Sequence, residues 1–214
     1  KNHARVTVHV DYPFALPRIN EFMASGTGAF LDQDQEPADW IELHNPGPGS
    51  ATTADLFLTD DPTRPTRWPL PSLLLEEGEF LVVFATGKNR RQPAAELHTN
   101  FKLDAQGEFL ALMRRSGERV EVISSFGPRF PKQTRGISFG YGRRGNTGQL
   151  SRPTPGSVNS TAVSGTVKRV RFRTTRALCS TPFQLVLECK TDQADIYFTT
   201  DGSIPSPRHG GRYR

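Results

Sequence analysis

With 214 residues, 35% of them hydrophobic, the chain can fill one large domain, or one medium domain with a smaller companion. Its 19 glycines and 17 prolines exceed the average share but fall short of a disordered composition, and no apolar run approaches the ~20 residues that span a bilayer. The net charge of +5 is concentrated: residues 160–214 carry nine Lys/Arg against four Asp/Glu, whereas the 18 bases and 18 acids before them cancel.

In chain order, the first predicted element is the short alternation Val6-Thr7-Val8-His9-Val10, stopped by Pro13. It reads as a leading strand or linker over residues 1–16. The chain opens at Lys1 with no apolar signal core, as expected for a piece excised from a longer, processed protein. From Pro17 onward, runs of four to seven β-branched and aromatic residues alternate with turn chemistry. The runs are Ile19–Met23, Trp40–Asn45, Leu56–Thr59, Phe80–Ala85, Phe109–Met113, Val120–Phe126 and Ile137–Tyr141. Between them lie breakers such as Asn45-Pro46-Gly47-Pro48-Gly49 and hairpin-like turns at Glu76-Glu77-Gly78-Glu79 and Arg115-Ser116-Gly117-Glu118. No window holds a capped 3.6-residue apolar period. The expectation is an all-β chain, with an immunoglobulin-like β-sandwich over 17–159, although small barrels give similar strand strings.

Pro153-Thr154-Pro155-Gly156-Ser157-Val158-Asn159 closes that unit, and residues 160–166 read as a linker. Beyond it lie the runs Val167–Arg173, Phe183–Cys189 and Ile196–Thr200, the last leading into the turn Asp201-Gly202-Ser203. Three strands cannot close a sandwich, so 167–214 is expected to be a partial second immunoglobulin-like unit that looks cut short. In the first of these runs bases alternate from Lys168 to Arg173, which admits a nucleic-acid footprint. The plainer reading is a strand with a solvated basic face and Val170 and Phe172 inward. Cys189 continues the alternation Phe183, Leu185, Leu187 as a small core residue. Two cysteines are too few for a disulfide framework or a zinc site, and a bridge from Cys189 to Cys179 stays open.

Candidate chemistry is sparse. Asp32-Gln33-Asp34-Gln35-Glu36-Pro37-Ala38-Asp39 sets oxygen side chains at alternate positions, as a calcium loop does. Asp32, Asp34, Glu36 and Asp39 are the candidate ligands, with Asp60 and Asp61 as later partners. The EF-hand pattern is not met, since Gln35 and Pro37 stand where further ligands and Gly are needed. The plainer reading is a solvated rim loop, and no other cofactor is expected. Trp40, at the head of a strand continued by Ile41 and Leu43, is expected to fill the space between two sheets, with a carbohydrate-stacking platform as the alternative. The same weighing holds for Trp68, which Pro69 and Pro71 leave more open.

The neighbouring carboxylates Asp60-Asp61 and Glu76-Glu77 would point to opposite faces of a strand and form no catalytic pair. No serine sits in a G-x-S-x-G elbow, and no His-x-x-x-His spacing occurs. Gly140-Tyr141-Gly142-Arg143-Arg144-Gly145 imitates a dinucleotide loop but lacks the following helix. Asn159-Ser160-Thr161 fits a glycosylation sequon and reads as simply polar linker. Catalysis is not indicated.

Several segments, in order, resemble the lamin tail domain in the form found in bacterial cell-surface proteins. They are Ile19-Asn20-Glu21-Phe22-Met23-Ala24-Ser25, Asp39-Trp40-Ile41-Glu42-Leu43-His44-Asn45, Leu58-Thr59-Asp60-Asp61-Pro62, Trp68-Pro69-Leu70-Pro71 and Glu79–Ala85. His98–Leu103, Gly107–Leu112 and the closing Pro153–Asn159 complete the set, which spans residues 17–159. Ile196-Tyr197-Phe198-Thr199-Thr200-Asp201-Gly202-Ser203-Ile204-Pro205-Ser206 resembles the chitobiase/hexosaminidase C-terminal domain, another small immunoglobulin-like module. Together these resemblances imply a non-catalytic binding or scaffolding module of a secreted or cell-surface bacterial protein, with protein or cell-envelope carbohydrate as partner. The alternatives are an accessory domain of a larger carbohydrate-active enzyme or surface kinase-like protein, and a nucleic-acid-binding module.

Overall fold

The computed structural model describes residues 15–26, 28, 30–150, 152–163, 167–173, 183–191 and 194–213. The expected leading strand at Val6–Val10 and the cysteine at Cys179 lie outside the described residues. The chain divides into two compact units, Lys1–Ser164 and Gly165–Arg214. The described residues contain no helix, and the chain is all-β with several sheets.

The strands of the first unit are β1 (Arg18–Met23), β2 (Trp40–His44), β3 (Ala51–Thr52), β4 (Leu56–Thr59), β5 (Trp68–Pro69), β6 (Leu74–Leu75) and β7 (Phe80–Phe84). They continue with β8 (Leu97–His98), β9 (Ala111–Ser116), β10 (Arg119–Ser125), β11 (Ser138–Tyr141), β12 (Thr147–Leu150) and β13 (Ala162–Val163). The seven runs predicted for this unit all become strands, with ends displaced by three residues at most. Two residues of the expected 160–166 linker instead form β13, because Ala162 and Val163 pair with Leu150 and Gln149.

Two sheets enclose the core in a β-sandwich-like arrangement. The larger runs β13-β12-β11-β1-β2-β7-β8 and the smaller β10-β9-β4-β5, while β3 and β6 form a separate ribbon. Every pairing is antiparallel except β7 with β8. Ile19, Phe22, Ile41, Leu43 and Val83 of the large sheet meet Leu56, Leu58, Leu110 and Leu112 in one buried cluster with Trp68 and Phe130. Each such side chain contributes about 1.5–3 kcal/mol by leaving water. Trp68 is fully buried in spite of its flanking prolines.

A register shift between Ile19 and Glu21 places one extra residue, Asn20, in β1. Strict alternation would put Ile19 and Glu21 on the same face. The bulge breaks it, so that Ile19 and Phe22 both enter the core while Glu21 is freed to the opposite face. A second shift, between Val122 and Ser124 of β10, accompanies a bond from the Ile19 N–H to Ser124 Oγ at 3.2 Å, which ties the two sheets together.

The second unit contains β14 (Arg171–Phe172) paired with β15 (Leu187–Glu188), and β16 (Tyr197–Phe198) paired with β17 (Gly211–Arg212). The predicted strands shrink to two residues each. Phe172 is 64% exposed rather than inward, Val170 is half-buried, and Phe183 and Leu185 are exposed. Among the described residues of this unit Leu187 is the one buried apolar side chain, and Cys189 is half-buried. Ribbons of two residues offer too little surface to cover both faces of a strand.

Candidate functional site

The stretch Asp39–Asn45 distributes its side chains to two faces. Ile41 and Leu43 point into the sandwich. Trp40, fully buried, lies on the other face of the large sheet in a separate cluster with Met23, Ala38 and Phe84, and Phe30 meets its ring edge-on at 6.0 Å. The expected place between the sheets is therefore corrected: strand alternation that sends Ile41 inward must send Trp40 outward, where the loop before β2 covers it. His44 stacks on Phe80 at 4.4 Å. Asn45 staples the following turn, its Nδ2 donating to Gly49 O, Leu75 O and Glu76 O at 2.8–3.1 Å while its Oδ1 accepts from Gly47 N.

The outer face of the same sheet carries two fully buried carboxylates, Glu21 and Glu42. The closing loop folds over them. Thr154 donates its N–H and hydroxyl to Glu21, and the Gly156 N–H donates to Glu42 at 2.6 Å. Ser138 Oγ also donates to Glu21. Asn20 Nδ2 donates to Glu42 Oε1 at 2.8 Å and to Asn159 Oδ1 at 2.9 Å, and Asn159 Nδ2 donates to Tyr141 O and Asn20 O. Burial raises the pKa of Glu42 to about 7, against the opposing effect of these donors, and raises that of Glu21. The sequon asparagine is thus not a polar linker residue: Asn159 is 4% exposed and sits at the centre of this network.

Of the four residues predicted to hold calcium, three converge. Asp32, Asp34 and Glu36 bring carboxylate oxygens within 4.8 Å of one another. The Lys88 ammonium occupies the middle, at 2.5 Å from Asp32, 2.6 Å from Asp34 and 2.8 Å from Glu36, and Arg90 adds a contact to Asp34 at 2.8 Å. Asp32 also accepts the backbone N–H groups of Asp34 and Glu36 at 3.0 Å. Burial opposes its ionisation, but the bonds from Lys88 and the backbone prevail and lower its pKa. Arg90, then Lys88, holds Asp34 down at about 2. Asp39 stands outside the group, its pKa pushed up to about 6 by burial despite a backbone N–H from Gly26. Asp60 pairs with Arg67, and Asp61 accepts the N–H and hydroxyl of Thr63, so neither joins the cluster.

The chain matches no family model and no curated protein.

One constellation escaped the sequence reading. Ser203 Oγ lies 2.8 Å from His209 Nε2 in the second unit and 2.6 Å from Asp201 Oδ1. A hydrolytic triad needs the carboxylate on the far nitrogen of the imidazole, where it orients the base. Here the carboxylate bonds to the hydroxyl itself and to the Ser203 N–H, closing an exposed turn. The network of Glu21, Glu42 and Asn159 was equally hidden, because Asn159 lies more than a hundred residues from both glutamates. Its one sequence signal was a pair of glutamates in strands otherwise rich in apolar residues.

Proposed function

We propose that the chain is a non-catalytic binding and scaffolding module of a secreted or cell-surface protein, its first unit an immunoglobulin-like sandwich of the lamin-tail kind. One observation carries this reading. The polar side chains of the segments that resemble that family are engaged within the unit: Glu21, Glu42, Thr154 and Asn159 close one loop over the sheet, and Asn45 staples the turn after β2. Such a network rigidifies a frame and leaves its carboxylates committed rather than free for proton transfer. The chitobiase-like stretch of the second unit is read in the same way, as an accessory module, and the partner is cell-envelope carbohydrate or protein.

The test is co-sedimentation of the full chain with purified bacterial cell-wall polysaccharide, followed by chromatography of the polysaccharide. Retention on the polymer with an unchanged saccharide profile is expected. Release of shorter saccharides overturns the non-catalytic reading, and failure to sediment removes the polysaccharide as partner.

A further inference from the structure

A recess of about 270 Å³ opens at one end of four adjacent strands of the large sheet, where the Tyr141 ring also packs against Phe126 of the core. β1 contributes Arg18, β2 His44, β7 Phe80 and β11 Tyr141, while the turn after β11 adds Arg143 and the closing loop adds Val158. The motif Gly140–Gly145, discounted as a dinucleotide loop, therefore has a place: it is the end of β11 and a turn that walls this recess.

Among the described residues the chemistry inside is cationic and without an ion-pair partner. The Arg18 guanidinium lies over the Tyr141 ring at 4.6 Å, so its face is occupied while its in-plane N–H groups remain to donate. Arg18 Nε and His44 Nδ1 are buried without a hydrogen-bond partner among the described residues. Arg143 is exposed and forms no ion pair among them either. The buried carboxylate of Glu42 accepts from Asn20 and Gly156 and forms no ion pair with either arginine among the described residues. Two arginines around a cup with a donor left unsatisfied call for an anionic acceptor.

We propose that this recess binds the charged unit of an acidic saccharide, its carboxylate, sulfate or phosphate group held between Arg18 and Arg143. The inference rests on the binding-module reading above and names its ligand. A nucleic-acid strand fits less well: bases need free aromatic faces, and here His44 takes one face of Phe80 and Arg18 one face of Tyr141. Bases and acids also balance over residues 1–159, so no extended basic track leads to the site. A peptide adding itself to a sheet would need an open edge, whereas β11, β1 and β2 each lie between two paired strands and β7 is uncovered only over its first residues, Phe80–Val82.

Calorimetry of the full chain tests this with a uronate oligosaccharide, its sulfated and phosphorylated counterparts, the matching neutral oligosaccharide, an acidic peptide and a single-stranded oligonucleotide. At least one acidic saccharide is expected to bind, more weakly as salt rises, and the neutral one not. Arg143→Gln and Arg18→Gln should each weaken binding roughly tenfold or more. Val158→Asp, which sets a negative charge on a residue 67% exposed, should abolish it. Arg143 and Val158 are surface positions, so an unchanged melting temperature certifies those variants even where Arg18→Gln unfolds. Equal binding of neutral and acidic saccharides, no binding of any acidic saccharide, wild-type affinity in the Arg143 and Val158 variants, or binding confined to peptide or oligonucleotide overturns the assignment. Conversion of a bound saccharide into product overturns the non-catalytic reading instead and leaves the recess as its binding subsite.

Discussion

Lys88 shows how a single side chain sets the character of a site. Its ammonium stands among Asp32, Asp34 and Glu36 where a calcium ion would stand. Calcium is therefore expected to move the melting temperature of the native chain by less than about a degree, since a ligand stabilises only by binding the folded form. Lys88→Ala removes the cation and leaves the buried Asp32 carboxylate unpaired, which should lower the melting temperature by roughly 5 °C or more. Saturating calcium should restore part of that loss. Thermal unfolding of both proteins with calcium and with chelator decides it, and a large calcium shift in the native chain would show that the ion displaces the ammonium. The acidic spacing was legible in the sequence because alternate oxygen side chains are a local pattern. The lysine was not, because it arrives from more than fifty residues away.

Strand β2 and the closing loop form a unit whose stability depends on pH. Glu42 has an ordinary pKa near 4.5 when unfolded and about 7 when buried, so between those values the folded chain binds more protons than the unfolded one. Stability from this group is then present below about pH 4.5 and is lost as pH rises through 7, by at most about 3 kcal/mol. His44 and His98, both lowered by burial, act in the opposite sense below their ordinary value of 6.5 but are common to the native chain and Glu42→Gln. In urea unfolding across pH 4.5–7.5, the stability of the native chain relative to Glu42→Gln should therefore fall with rising pH. A flat difference would show that Glu42 is not buried as described. Asn159→Ala tests the loop itself: it orphans Tyr141 O and Asn20 O, at about 1–3 kcal/mol for each buried group left unsatisfied. Equilibrium unfolding measures that loss. The strands around this loop were legible from their apolar runs, and their faces were half legible. Alternation placed Ile41 and Leu43 correctly, but the same alternation demanded that Trp40 lie outside the sandwich. The bulge at Asn20 has no signal of its own in a β-branched run, so the side taken by Glu21 could be seen only in three dimensions.

At the scale of the molecule, the buried apolar clusters of the first unit draw only on residues before 165. A fragment of residues 1–164 should accordingly keep the melting temperature of the intact chain within about 2 °C, by differential scanning calorimetry. Residues 165–214, with Leu187 as their one buried apolar side chain among those described, should show no cooperative transition when isolated. The two-unit division was legible in composition, because a Pro/Ser/Thr-rich stretch precedes the change from balanced to basic charge. The shrinkage of the later strands was not, since a short apolar run looks the same whether or not a second layer exists to cover it. The large sheet, finally, ends on either side, among the described residues, in strands of only two residues, β13 and β8. Beside so brief a border a passing chain finds only short ladders, the residues Phe80–Val82 of β7 and Thr147–Gly148 of β12 that β8 and β13 leave uncovered. The longer open ladder is that of β10, a seven-residue strand at the border of the smaller sheet with Val122 exposed, so a second copy that pairs edge to edge would meet this unit there.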